Sequence, residues 1–380
     1  MPLLSRKKQF AIKQETTEGT AETLAAGDVL MEVDELEGRF TPEFQERHPL
    51  REDLSPAAGV VGITAAEITG KTELKPAAVP TNDPPCHRVL LACGLQQNLL
   101  RTGIGGAIGT FIAGEYMVGG ASGRGYFVRI DATVNLTFVE IVAFAASEVA
   151  TGQVSSATWT FGASPTFTTI GKAYRPNSVA PPSFTAAVMA DGKKFELIGG
   201  RATCSFEVGG AGQIGYANFS MQGKAIAPVD QALFAGVAAI TTVPEVFKSS
   251  AVTAEQVALV VNSFNLSLNN TLARRVASNE LTGIKSVKIT NRRPTIAVDP
   301  EQELEAAIPF FTRFAAGTLF GFYAQIGSTV GKRTIIVASR TQYTELGQGD
   351  RDGIATHAAN LLCSRGATPG GDDDLLVCFG

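Results

Sequence analysis

Histidine is almost missing from this chain of 380 residues, with three copies at His48, His87 and His357. They lie far apart, and none has a carboxylate or a second histidine at metal-ligand spacing, so no metal centre is expected. The five cysteines, Cys86, Cys93, Cys204, Cys363 and Cys378, are scattered. That excludes a disulfide framework or a zinc knuckle and suits a reducing site of synthesis. A basic surplus is also lacking: 32 Lys and Arg stand against 36 Asp and Glu, for a net charge of −4. A nucleic-acid clamp, which needs cations against phosphates, is therefore not expected. No G-x-S-x-G elbow and no S-x-x-K is present, and no nucleophile–base pair is visible. The longest apolar stretch, about 306–326, contains Pro309, Arg313, Gly317 and Gly321. It reads as a buried helix running into a turn and a strand, not as a membrane span. The opening MPLLSRKK has no apolar core, so no signal peptide is expected. The sequons at Asn135, Asn218, Asn265 and Asn269 therefore carry little weight.

What is present points to a folded, β-rich chain. Hydrophobic residues make up 44% and charged residues 18%, which excludes disorder. Taken together, glycine (40) and proline (18) exceed their usual combined share, which favours turns and strands over helical bundles. The length suggests two or three domains.

A long internal repeat organises the chain. GKKFELIGGRATCSFEVGGAGQIG, opening at Gly192, lies over GKRTIIVASRTQYTELGQGDRDG, opening at Gly331, without a gap. Leu197 then falls on Ile336, Ile198 on Val337, Arg201 on Arg340 and Gly210 on Gly349. Both segments read as strand, Gly-rich turn, strand. Upstream, ELKP at 73–76 lies over AVDP at 297–300. Each is preceded by a strand-like run and a polar loop with arginines, Arg47 and Arg51 in the first copy, Arg274 and Arg275 in the second. Each is followed by a helix. Asp83 with Pro84 and Pro85 predicts an N-terminus for CHRVLLACG, with Gly94 as its stop. Asp299-Pro300 predicts a helix through Leu304, Ile308, Phe311 and Ala315, ending near Gly317, with Pro309 as a kink or a delay.

Two segments do not repeat. Residues 98–165 hold 7 charged residues and 11 glycines and alternate like strands, so they read as a β-rich insertion in the first copy. A linker rich in Ala and Thr joins the copies. The expected organisation is a first domain over 1–228 with the insertion at 98–165 inside it, a linker at 229–254 and a second domain over 255–380. The fold class is mainly β (α+β), dominated by antiparallel strands.

The remaining motifs are weak. His87 reads as a partly buried helix residue, and Cys86 with Cys93, seven apart on one helical face, as core packing. Gly103 to Gly109 has glycines at 103, 105, 106 and 109, but Ile108 breaks G-x-G-x-x-G, so a flexible turn is expected. Asp350-Arg351-Asp352-Gly353 lacks the later glutamate of a calcium loop and reads as a hairpin turn. Asp372 to Asp374 is expected to be a solvated charge run.

With no catalytic constellation, function is expected to come from shape and assembly. Several stretches together carry a likeness: FAIKQETTEGTAETLAAGDVLMEVDELEGRF, ERHPLREDLSPAAG with GKTELKP, PPCHRVLLACGL, the central MADGKKFELIGGRATCSFEVGGAGQIGYANFSMQG, and from the second copy SLNNTLARRVASNELTGIKSVKITNRRPTIAVDPE and the final hairpin. In this ordered set the chain resembles the major tail tube proteins of long-tailed bacteriophages. The resemblance implies β-sandwich or barrel domains, each with one flanking helix and a long loop. It implies rings that stack, with inner strands paired edge to edge into a β-lined channel for DNA. It also implies the tape measure, tail terminator and distal tail proteins as partners, no enzyme activity, no cofactor, no membrane, and a place in the virion after synthesis in the host cytoplasm. Family members mostly supply one tube domain per chain in six-fold rings. Here the duplication predicts trimeric rings of pseudo-six-fold symmetry, and by analogy a non-contractile tail. The insertion is expected outside the wall. A DNA conduit should not bind its cargo, and the first hairpin carries Glu32, Asp34, Glu35 and Glu37 with no basic residue between them. Glu32, Asp34 and Glu37 are thus candidates for the lumen. Arg47, Arg51, Arg274 and Arg275 are candidates for contacts between rings. The competing readings are another β-rich phage structural or decoration protein, a surface adhesin, and a hydrolase in the insertion.

Overall fold

Side-chain alternation along the strands sets the architecture. From Ala217 to Ala225 every second residue is buried, while the residues between are half-exposed. That period of two places one face of a strand against a core. The structure is a computed structural model that describes residues 6–30, 33–50, 52–53, 55–131, 134–164 and 167–380.

The chain opens with β1 (Lys8–Gln14), β2 (Val29–Leu30), β3 (Val33–Gln45) and β4 (Val60–Glu73), then α1 (His87–Ala92). An inserted set follows: β5 (Leu95–Ile108), β6 (Tyr116–Gly119), β7 (Arg124–Asp131), β8 (Asn135–Val142), β9 (Val149–Gly152), β10 (Thr158–Phe161) and β11 (Thr168–Pro176). The first series closes with β12 (Phe184–Ala190), β13 (Lys193–Val208) and β14 (Tyr216–Asp230). The second series comprises β15 (Val252–Ala254), β16 (Val257–Ala258), β17 (Phe264–Ser267), β18 (Thr271–Val276), β19 (Ile284–Asn291), β20 (Thr295–Val298), α2 (Phe310–Ala316), β21 (Phe320–Ile326), β22 (Thr334–Arg351), β23 (Ile354–Cys363) and β24 (Leu376–Phe379).

Antiparallel pairing orders the first series as β2–β1–β12–β13–β14–β4–β3. The second runs β16–β15–β21–β22–β23–β20–β17. The two orders correspond strand for strand, and the helix falls at the same point of each. The single long β14 of the first series has two counterparts in the second, because β24 pairs with β22 over Thr334–Val337 and β23 takes over from Thr341. The two series meet directly: Ser205–Val208 of β13 pairs with Phe264–Ser267 of β17.

The inserted strands have an aromatic core of their own, with Trp159 fully buried among Phe111, Phe127, Phe138, Phe144 and Phe161. Two buried carboxylates hold its turns. Glu148 accepts backbone N–H bonds from Ala121, Ser122, Gly123 and Ala145, and Glu115 from Ile112, Val154 and Ser155. Burial alone would raise the Glu148 carboxyl, but those four donors hold it below the ordinary value. The set is also tied to the second series. β11 pairs with β24, and Leu100, Tyr126, Val128 and Val139 share a core with Tyr323, Ile335, Val337 and Cys378.

Three local expectations are corrected. α2 starts at Phe310, not at Asp299-Pro300, because Pro309 occupies its N-cap; Gly317 ends it in the left-handed region at φ 61°. The Gly103–Gly109 run lies largely in β5 and is no flexible turn: a Cβ on Gly105 would stand 2.2 Å from the Thr160 carbonyl oxygen. Asp372 to Asp374 is not a solvated run. Asp373 is buried and accepts from the Gly366 and Thr368 N–H groups, and Arg292 bonds both Asp372 and Asp374. The Asp350–Gly353 turn does join β22 to β23, with Asp352 and Gly353 at positive φ. His87 lies on α1 against the Tyr174 hydroxyl at 2.8 Å, and Cys86 and Cys93 are buried.

Candidate assembly surfaces

Two hairpin arms leave the paired strands. β3 and β4 form a long arm whose register runs from Val33↔Thr72 out to Gln45↔Val60. β18 and β19 form the other, a separate two-stranded sheet. Both tips present apolar side chains to solvent: Phe44, Leu50, Val60 and Val61 on the first, Val276 and Leu281 on the second. The arms lie side by side, with Thr64 N–H on the Thr282 carbonyl at 3.0 Å.

The four arginines occupy these arms unevenly. Arg47 is exposed in the loop between β3 and β4, and Arg51 lies outside the described residues. Arg274 faces Glu43 of the neighbouring arm at 3.8 Å, and Arg275 faces Glu18 at 3.5 Å. Glu18, which no sequence pattern marked, is the hub of this region. It accepts from Lys288 and Ser286 on β19, both at 2.5 Å, and lies 3.5 Å from the buried Arg201 of β13. Burial would raise its carboxyl, but the Lys288 and Ser286 hydrogen bonds and the Arg201 charge bring it down to about 2. Arg201 also donates to the Pro181 and Val287 carbonyls, so a second-series arm is pinned to the first-series body.

Of the acidic candidates, Glu32 lies outside the described residues. Asp34 and Glu37 are exposed on β3. Asp34 is 3.8 Å from Lys71, which holds Glu35 at 2.5 Å; Glu37 is 3.4 Å from Arg39. The hydrogen bond to Glu35 raises the Lys71 ammonium.

Of the strand edges left open among the described residues, two belong to long strands of the paired series. β22 pairs with β21 only as far as Thr341, and beyond it that side of the strand has no partner. β3 pairs with β4 on one side and with no strand on the other. Beside β3 runs a groove of about 290 Å³ lined by Lys8, Phe10, Leu30, Val33 and Leu36. Among the described residues no group of His, Cys, Asp or Glu could hold a metal ion. No helix among them is long and apolar enough to cross a membrane.

A comparison with family models matches residues 5–375 to the phage tail tube protein model. A search of curated proteins returns no match.

Proposed function

The chain belongs to the phage tail tube protein family and is a structural protein of a phage tail that assembles into the tube; from that premise we propose that it forms trimeric rings whose six strand series stand in pseudo-six-fold order. The observation that carries this reading is the repeated seven-strand order, with the two series already joined through β13 and β17 inside one chain. Two series per chain supply six positions from three chains, and a closed ring leaves no lateral strand edge unpaired.

Stacked rings form the conduit for DNA. Its wall should repel phosphate rather than bind it, and the exposed Asp34 and Glu37 of β3, with Glu32, supply acidic groups for that wall. The β3–β4 and β18–β19 arms carry the contacts between rings, where their exposed apolar tips and Arg47, Arg51, Arg274 and Arg275 meet the next ring. The inserted strands, one set per chain, stand on the outside at every second position. The tape measure, terminator and distal tail proteins cap or fill the tube.

Electron microscopy of the purified protein tests the ring. Tubes with three-fold symmetry and six similar inner densities are expected; six identical chains per ring, or particles that never form rings, would overturn it. For the arms, Arg51→Glu with Arg274→Glu should leave the subunit folded and rings unstacked. Normal tubes from that double variant would remove the arms from the inter-ring contact.

A further inference from the structure

The inserted strands close into a barrel. β5 pairs with β8 and β10, β10 with β9, β9 with β6, β6 with β7 and β7 with β8, so the six strands return on themselves. The barrel is rooted in the first series. β5 starts just behind α1, the Asn177 N–H meets the Gly94 carbonyl at 2.9 Å, and the Tyr174 hydroxyl of β11 meets His87 of α1.

Its seat is the second series. β11 pairs with β24 from Lys172↔Phe379 to Tyr174↔Val377. The core at this seam, from Tyr126 and Val128 to Tyr323 and Val337, draws on the inserted strands and the second series alone. The approach is close: a Cβ on Gly114 would stand 2.9 Å from the Ser339 nitrogen, and one on Gly171 only 1.8 Å from the Phe379 carbonyl oxygen. Polar groups cross the same seam. Asp131 accepts from Arg333 at 3.0 Å and from Thr137 at 2.7 Å, and Arg129 donates to the Tyr323 hydroxyl at 3.3 Å and to Gln325.

We propose that the inserted barrel is a brace: rooted in one series and seated on the other, it fixes the angle at which the two stand. The direct junction leaves that angle loose. β13 and β17 pair over four residues, and neighbouring strands twist by anything from about 10° to 35°. The Glu18 and Arg201 contacts hold β19, but β18 and β19 form a sheet of their own, set off from β17 and β20. The seat lies on β21, β22 and β24, none of which takes part in the β13–β17 pairing, so it is a second and separate attachment. Two attachments remove the rotation that one allows. The second series holds no counterpart, since α2 runs into β21 across 317–319 alone. The brace acts within a single chain and does not rest on the ring reading.

Spin labels test it in the full chain. The five native cysteines are buried, so cysteines placed at the exposed Gln14 of β1, Ala358 of β23 and Thr160 of β10 take the label. Pulsed electron resonance on Gln14→Cys with Ala358→Cys should give one narrow distance between the series. Two changes remove the brace: replacement of 96–177 by a short Gly/Ser link, and Gly171→Val, whose side chain collides with the Phe379 carbonyl. Each should widen that distance distribution about twofold, as a freed strand twist allows. An unchanged width in the shortened, folded chain would overturn the brace. Should that chain fail to fold, Gly171→Val decides, with Thr160→Cys and Ala358→Cys reporting the seat. Widening of both distances supports the brace. Widening at the seat alone overturns it, and so does a seat left intact by Gly171→Val, since β11 on β24 is then not what holds the barrel.

Discussion

The two strand series share one topology and differ at their edges. In the first, the β13 end is covered by β17, and Phe206 and Val208 are fully buried. In the second, the β22 end is uncovered, and its Leu346 is only partly buried. The first keeps its arm as one continuous hairpin, β3–β4. The second breaks the same arm at 268–270 and 292–294, so that β17 and β20 stay with the body and β18 and β19 form their own sheet. A common strand order therefore does not make the copies equivalent. What separates them is which edges find a partner within the chain, and that difference can be probed by substitution.

The largest contrast should come from two buried aromatics, Phe206 beside β17 and Tyr343 just past the last residue that β21 covers. Phe206→Ala empties a covered core site and should cost about 4 kcal/mol, while Tyr343→Ala, at an uncovered edge, should cost about 2–3 kcal/mol in the unassembled chain. Denaturant titration of both variants checks this, and equal losses would mean that coverage by β17 adds nothing.

The inserted strands exist in the first series alone, and Glu148 is their tie. Glu148→Ala leaves four backbone N–H groups of two turns without their acceptor and should cost about 3 kcal/mol. Amide exchange should rise first at Ala121–Gly123, and protection unchanged there would count against the tie.

Glu18 joins the series across their boundary. Glu18→Gln should cost about 2 kcal/mol by weakening the charged hydrogen bonds to Lys288 and Ser286 and leaving Arg201 without its nearest carboxylate. The folded carboxyl lies at about 2 against an ordinary 4.5, so its contribution is complete above about pH 4.5 and fades as pH falls toward 2. The gap in stability between native chain and variant should close over that window, and a gap independent of pH would show that the charge is not what matters.

The smallest effects should be twins. Asn218→Ala and Asn360→Ala each remove one hydrogen bond to an exposed glutamate and should each cost about 0.5–1 kcal/mol. A clear inequality in melting temperature would show that the two asparagine–glutamate pairs do not carry equal weight.

Much of this was legible in the sequence, for physical reasons. The strand-and-turn stretches at 192–215 and 331–354 announce themselves because a buried face demands alternation and a tight turn demands Asp or Gly at positive φ, as at Asp191-Gly192 before β13 and Asp352-Gly353 after β22. The α1 helix is legible through Val89, Leu90 and Gly94. The true start of α2 is not, since Asp299-Pro300 looks like a helix entry; Asp299 instead accepts the N–H groups of Asn262 and Ser263. The glycines of β5 were misread because they serve close approach to Trp159 and Phe161, which are over fifty residues away. Glu18 and Glu148 draw their partners from distant strands and turns, so no local spacing marks them. Open strand edges are harder still, because the groups that pair are main-chain atoms, the same in every residue.

The stretch at 231–251, between β14 and β15, carries few elements of its own, yet it changes how the particle is built. In the ring proposed above, tethering two series would turn every second lateral encounter into an intramolecular one, at an effective concentration that a short tether sets in the millimolar range. That contact forms at any dilution of the chain. In the trimeric ring proposed above, only three encounters between chains stay sensitive to supply, so closing it should scale with the third power of subunit concentration, where six separate copies would scale with the sixth.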